Sequence, residues 1–365
     1  MKILFFLGHP AHYHLFKHTI WELKQKGFDV RIYIKTKDIL EALLREARLE
    51  YTNILPDGRK SSRVAILFGV LKRDWRLLKS LYNNRVDLMV GSEPSLTHIG
   101  KLLRIPTLYF AEDDVSMTPQ IANMLTFPFA THIISPIPCE MMSWSKKKIA
   151  YHGYQKLAYL HPNRFTPQLE RISEVIDINE QNFLIRLSKL SAHHDFNHFG
   201  LNNDLVIQIT QILSEHGNVF ISAEGRLPSA LKKYELRTNP KDIHHVLSFS
   251  ELLISDSQSM SVEAAMLGTP SIRFSDFAGK ISVLEELEYK YGLTYGIKPS
   301  EPEKLLKTIK KLISTPNLKD EWQHRRQKML SEKIDVTAFM VWLVENYPKS
   351  VQLMKNDPEY QFKFK

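Results

Sequence analysis

The segment 255–270, SDSQSMSVEAAMLGTP, follows the apolar run Leu252, Leu253 and Ile254, and combines hydroxyls, an amide and one carboxylate before a Gly-Thr-Pro stop. Read as the end of a buried strand, a tight polar turn and a small-residue helix, it is a place to hold an anion. In parallel sheets, ligands sit outside the carboxyl ends of strands, where the N–H groups of a helix start face them. Ser257, Gln258 and Ser259 would supply those donors, and a diphosphate fits. Glu263, about two turns into the helix by its rise, could accept hydrogen bonds from a ribose diol.

A second group of residues suits proton transfer. His9, His12 and His14 follow the apolar run KILFFLG and its Gly8 on an expected strand-to-helix turn. His12 is the leading candidate for a general base and His14 the next. Three histidines at this spacing also resemble a metal site, but no carboxylate lies beside them in sequence; the plainer alternative is a polar loop or a helix cap. Carboxylates gather at two other expected strand ends: Glu93 in VGSEPS, and Glu112, Asp113 and Asp114 in YFAEDD. Paired, they could raise one another's pKa and serve as acid and base. Glu93 before Pro94, and Asp114 before the next helix, could equally be N-caps.

Further candidates for sugar, phosphate or base contacts lie in the second half. Arg186 and Ser188 end one strand, followed by His193, His194 and Asp195. Glu224, Gly225 and Arg226 end the next, where a glycine lets a ligand approach the backbone. His244 and His245 precede a helix. For each histidine the ordinary alternative is a satisfied hydrogen-bond partner.

The elements that must position these residues alternate along the chain. KILFFLG reads as a strand, HLFKHTIWELKQKG as a helix stopped at Gly27, and DVRIYIKT as a second strand. VDLMVGSE, PTLYFAEDD and THIISP continue the strands, with helices between them. Residues 156–180 are polar, carry prolines and have no strand of their own, which fits a linker. Alternation resumes with NFLIRLS, NVFISAEG, ELLISDS and TPSIRFS. The expected fold class is therefore α/β, with two successive Rossmann-like, doubly wound domains, 1–155 and 181–335. An apolar helix over 336–347 needs a surface to bury against and is expected to pack back across the junction on the first domain. The tail after Pro348 is expected to be loosely ordered.

With 365 residues, the chain is long enough for two cores. Its single cysteine, Cys139, permits no internal disulfide and suits a reducing cytoplasm. The N-terminal apolar run is broken by Gly8, His9 and Pro10 before it could form a signal-peptide core, and no segment has the apolar length to cross a bilayer. A formal charge of +9 favours an anionic partner. No zinc-ligand cysteine pairs, RRM-type aromatics or lysine-rich tail are present, so nucleic acid ranks last. The helical stretch carrying Lys72, Arg73, Arg76, Lys79 and Arg85 could rest peripherally on the inner, anionic face of a membrane; the plainer reading is a crossover helix with a solvated basic edge.

The pattern S-D-S-x-x-x-x-x-E-A-x-x-L-G-T-P resembles the donor-side motif of GT-B-fold enzymes that bind nucleotide sugars. It is similar to that of the UDP-N-acetylglucosamine 2-epimerases and of the family called domain of unknown function 354. The latter resemblance spans nearly the whole chain through GHPAHYHLFK, YHGYQKLAYLHPNRFTP, FISAEGRLP, KDIHHVLSFSELLISDS and EKIDVTAFMVWLVENYP. It implies a GT-B fold with an interdomain cleft, a diphosphate held by Ser257, Gln258 and Ser259, and a ribose held by Glu263. Gly8 to His12 match the glycine-containing loop of the N-terminal domain.

There are departures from the pattern. The epimerases have Gly where this chain has Gln258 and Ser259, and an epimerase-type arginine is missing just after Gly8. Retaining transferases commonly carry a second Glu where this chain has Ser255, so the resemblance implies inversion. GT-B enzymes generally work without a bound metal, so no metal and no cofactor beyond the sugar donor are expected. The EDD triplet is also similar to the metal-binding acidic triplet of the other large glycosyltransferase fold, against which the two-half organisation argues. The implied function is an inverting, UDP-sugar-dependent glycosyltransferase acting on a glycan or lipid-linked acceptor in surface polysaccharide synthesis. The alternatives are a nucleotide-sugar 2-epimerase and a non-catalytic nucleotide-sugar-binding or scaffold protein.

Overall fold

Lys2–Leu7 (β1) is KILFFL, a continuous apolar run whose last five residues are all buried. Such a strand can only lie inside a sheet covered on both faces. In the computed structural model, which describes residues 1–56, 63–82, 84–188 and 200–365, β1 is central in a parallel sheet. The chain divides into two units, Met1–Arg164 with Lys333–Lys365, and Phe165–Glu332.

In the first unit β1 is joined by β2 (Asp29–Lys35), β3 (Thr52–Leu55), β4 (Leu88–Gly91), β5 (Thr107–Phe110), β6 (His132–Pro136) and β7 (Lys148–Tyr151), in the order β3-β2-β1-β4-β5-β6-β7. All pairs are parallel. The order reverses between β1 and β4, and such switch points open a crevice at the carboxyl ends of the two strands. The helices are α1 (Pro10–Gln25), α2 (Leu40–Glu46), α3 (Arg63–Tyr82), α4 (Pro94–Leu103), α5 (Gln120–Met124) and α6 (Leu157–Leu160).

Helix α1 begins two residues before His12, because Pro10 suits the first helical position and the His9 ring caps it by accepting the Ala11 N–H. His12 and His14 are thus helical residues, not residues of the preceding turn. The chain leaves α1 through Gly27 at φ 81°.

The second unit has β8 (Asn182–Leu187), β9 (Asn218–Ala223), β10 (Leu252–Ser255), β11 (Ser271–Phe274) and β12 (Tyr295–Ile297), in the parallel order β12-β11-β10-β8-β9. Its switch point lies between β8 and β10. Helices α7 (Asn203–Ser214), α8 (Ile243–Phe249), α9 (Gln258–Leu267), α10 (Ser282–Glu285), α11 (Pro302–Ile313) and α12 (Leu318–Glu332) complete it. The small residues of α9 have a packing reason: Ala264, Ala265 and Met266 are fully buried, enclosed among β10, β11, α8 and α12. The helix ends at Gly268 with φ 72°. His244 and His245 fall inside α8 instead of preceding a helix.

The apolar C-terminal helix, α13 (Val336–Glu345), belongs to the first unit, where it packs on α1 and α6. Asp335 caps it by accepting the Ala338 N–H at 3.0 Å and pairs with Arg164 at 2.9 Å. Thr337 Oγ1 donates to the Ala158 carbonyl at 2.6 Å.

The expectation of a loose tail is corrected. Residues Lys349–Asn356 form α14 and Pro358–Phe364 a 3-10 helix. Tyr360 and Phe364 lie against Trp342 at ring separations of 5.0 and 5.4 Å, and the Gln361 side chain accepts the His152 N–H at 2.7 Å. The aromatic residues of a polar-looking tail are what tie it down.

Candidate functional site

In the first unit the switch point is occupied by Glu93. It stands at the N-cap position of α4 but caps nothing. Its carboxylate pairs instead with Lys35 Nζ at the end of β2, at 2.7 Å, and lies 3.7 Å from the Arg73 guanidinium on α3. Glu93 and Arg73 are both buried. Burial pushes the Glu93 carboxyl up, but Lys35, Arg73 and to a lesser degree His12 overcome it and hold the group below the ordinary range. Arg73 also donates to Ser95 Oγ at 2.7 Å; it was expected on a solvated edge and instead turns onto the carboxylate.

Gly8 explains itself at this point. A Cβ built there would lie 1.8 Å from Glu93 Oε1, so the glycine makes room for the carboxylate. The Gly8 N–H donates to His12 Nδ1 at 3.1 Å. An N–H can only donate, so Nδ1 is the bare nitrogen and the neutral ring carries its proton on Nε2. Burial lowers the His12 pKa to about 4, the nearby Glu93 opposing and His9, Lys35 and Lys156 adding to the fall. In this tautomer His12 offers a donor, and its acceptor nitrogen is already engaged.

The acidic triplet after β5 divides its tasks. Glu112 accepts the Gln155 N–H at 2.6 Å and pairs with Lys156 at 2.5 Å. Asp114, for which a cap was one of two readings, makes no cap bond; it is buried and accepts the Glu140 N–H at 2.7 Å. Asp113 is exposed, and its carboxylate has no partner among the described residues. Partial burial and then Glu112 lift its pKa, with Lys156 opposing. Tyr109, between these groups, donates to the Ser92 carbonyl at 3.3 Å and has its pKa raised by burial, Glu93 and Asp113. His14 lies farther along α1, with its ring 5.3 Å from those of Tyr13 and Tyr159.

In the second unit the expected anion turn is built as a capped helix start. Ser257 Oγ accepts the Met260 N–H at 3.4 Å, and the Ser257 N–H donates to Ser255 Oγ at 2.8 Å. The amides of Gln258 and Ser259, in the first turn of α9, have no partner within the helix, and Ser259 is exposed. The Gln258 side chain turns inward, donating to Ser275 Oγ at 2.7 Å and accepting from Arg273 at 3.3 Å. Arg273 is fully buried, 3.4 Å from Glu288 and 3.6 Å from Glu285. Glu263, on the next turns of α9, lies 3.4 Å from His244 Nε2 on α8. His245 Nδ1 accepts the Gln168 N–H at 3.0 Å.

Across the switch point, Asp256 accepts both the N–H and the hydroxyl of Ser188, at 2.7 and 2.8 Å. Arg186 bonds Ser222 at 2.9 Å and Glu224 at 2.7 Å, and Gly225 beside them is exposed. His193, His194 and Asp195 lie outside the described residues.

Sequence reasoning missed Lys35, Arg73, Lys156, Asp256 and Arg273. A lysine ending a buried parallel strand, and an arginine inside the apolar strand Ser271–Phe274, were the available signals. Among the described residues there is no group of three metal-ligating side chains.

A family model described as "Protein of unknown function (DUF354)" matches residues 1–349. No curated protein matches the chain. Among solved structures, UDP-GlcNAc 2-epimerase from Neisseria meningitidis bound to UDP-GlcNAc is similar with TM-score 0.66 and 17% identity, over 95% of this chain and 100% of that one. The S. aureus MnaA–UDP co-structure is similar with TM-score 0.67 and 12% identity, over 96% and 98%. MurG of Acinetobacter baumannii is similar with TM-score 0.58 and 15% identity, over 94% and 99%. At these identities the likeness concerns the fold: two parallel α/β sheets in the GT-B arrangement.

Proposed function

We propose a function for this chain, which belongs to the DUF354 family and has the GT-B fold: it is a glycosyltransferase that uses a nucleotide-diphospho-sugar, UDP-linked, and inverts the transferred carbon. The observation that carries this reading is the start of α9. There, Ser257 caps a helix whose next amides and the Ser259 hydroxyl are open at a strand end, beside the sheet's switch point. The diphosphate would be received by the Gln258 and Ser259 amides and the ribose by Glu263, held in place by His244.

The first unit would receive the acceptor, a glycan or a lipid-linked sugar. Asp113 is the base this geometry favours, since Glu112 and Glu93 are engaged by cations and the acceptor nitrogen of His12 by Gly8. The acceptor O–H proton passes to the Asp113 carboxylate, its oxygen bonds to the anomeric carbon, and the bond from that carbon to the diphosphate breaks. His12, with Nε2–H, is suited to donate to a sugar oxygen. No step calls for a metal.

A second reading has one observation in its favour. Glu93 is held low and Asp113 is raised, the kind of separation that gives one base and one acid in an elimination and re-addition at the sugar C2. Turnover separates the two. A transferase releases UDP from UDP-sugars at a rate that rises with acceptor, and Asp113→Asn lowers that rate at least about 100-fold. Conversion of UDP-GlcNAc to its 2-epimer without acceptor establishes the second reading, and binding without turnover a scaffold.

A further inference from the structure

In the first unit, three successive residues of α3 face three ways. Arg73 turns inward to Glu93; Asp74 pairs with His98 Nδ1 of α4 at 2.8 Å; Trp75 is 60% exposed. The other ring nitrogen of His98 lies 2.5 Å from the Leu125 carbonyl, and its ring is 5.1 Å from Phe129. A carboxylate and a carbonyl accept, so both ring nitrogens are placed to donate as an imidazolium does; burial opposes the charge, and the bonds to Asp74 and Leu125 raise the His98 pKa over it. This one ion pair joins α3, α4 and the segment after α5.

On these elements several of the exposed side chains are large and apolar. Leu71 and Trp75 flank Asp74 on α3, at helical spacing. Leu102 stands one turn beyond His98 on α4, and Ile121, Met124 and Phe129 lie on and after α5. Leu71, Leu102, Ile121 and Met124 are each more than half exposed. Scattered exposed apolar residues need no explanation, but their recurrence on two packed helices, α3 and α4, and on the α5 segment that His98 ties to them through Leu125 and Phe129, does. The charges among them have one sign. Lys72, Lys79 and Lys101 lie on the same helices, Lys79 over the Trp75 ring at 5.4 Å. The single carboxylate of α3, α4 and α5 is Asp74, and His98 neutralises it.

We infer that this face of α3, α4 and α5 docks on an anionic lipid bilayer. Charge decides among occupants: apolar groups with a Trp at their centre and lysines beside them match the interfacial zone of a bilayer bearing negative headgroups. A second copy of the chain would bring the same lysines together and repel. The inference deepens the proposed transfer, and rests on that reading only in its consequence: Arg73, adjoining the docking face, holds the Glu93 of the acceptor site, so a lipid-linked acceptor would be met where the chain touches the membrane.

The test is co-sedimentation of the full chain with vesicles of phosphatidylglycerol and phosphatidylcholine, compared with pure phosphatidylcholine. Binding is expected only to the anionic vesicles, weakened by salt, with a blue shift of Trp fluorescence. Trp75→Ala with Ile121→Ser should cut the partition at least about tenfold, and Lys72→Glu with Lys101→Glu as much again. All are exposed positions, and unchanged thermal unfolding checks that each variant folds. Absence of binding to anionic vesicles at low salt overturns the inference. So does binding that survives both double variants, or a concentration-dependent dimer that Ile121→Ser abolishes. UDP binding in solution is read separately, so failure of the donor site and failure of docking are distinguishable.

Discussion

Gly8 has no side chain because Glu93 occupies the place where a Cβ would be. Gly8→Ala should therefore destabilise the first unit by about 1–3 kcal/mol through overpacking, read as a lowered unfolding midpoint. Gly8→Ala with Glu93→Asp, which withdraws the carboxylate by one methylene, should recover part of that loss; strictly additive losses would show that the two do not compete for the space. Removing the charge alone has a different cost. Glu93→Gln leaves Lys35 and Arg73 facing a neutral amide, and breaking a buried pair costs about 3–5 kcal/mol. Glu93, Glu112 and Asp113 were legible in the sequence as carboxylates ending apolar runs. Which of them a cation engages was not, because that depends on Lys35 and Lys156, which lie 58 residues before Glu93 and 44 after Glu112 and reach them only through sheet order and the loop after β7.

Helix starts and ends carried most of the legible architecture. Gly27, Pro94, Ser257 and Gly268 all mark boundaries that the chain uses, whereas α1 starts at Pro10, four residues before the start expected for it. What escaped were short elements with little periodicity: β3 and β12, with four and three residues, and the tail, whose stabilising contacts are aromatic stacking on Trp342 instead of a continuous apolar stripe. The α9 helix was legible as a run of small residues, and its burial shows why they are small. Ala265→Leu should cost about 1–3 kcal/mol of stability and, by shifting the helix start, weaken nucleotide binding. Wild-type stability in that variant would mean that α9 has room its packing does not suggest.

At the scale of the molecule, acid should be the destabilising direction. His12, His18 and His132 all have pKa values lowered by burial from the ordinary 6.5 to about 4. A folded-state pKa below the unfolded value gives stability that is complete above pH 6.5 and is lost as pH falls through 4, on the order of 2 kcal/mol for each ring after solvent screening. The thermal midpoint should fall steadily over that window, and less steeply in His132→Gln; a flat profile would contradict it. Two doubly wound sheets were legible from the alternation of strands and helices, and the +9 charge pointed to an anionic partner without choosing one.

Everything proposed for the second unit turns on whether the start of α9 receives a nucleotide diphosphate. The deciding measurement is calorimetric titration of the full chain with UDP, GDP and their common sugar conjugates, repeated on Glu263→Ala. Saturable binding of UDP and its sugars, weakened at least about tenfold in a variant that unfolds like the wild type, is the expected result. Absence of binding to every nucleotide, or affinity unchanged by Glu263→Ala, would contradict it.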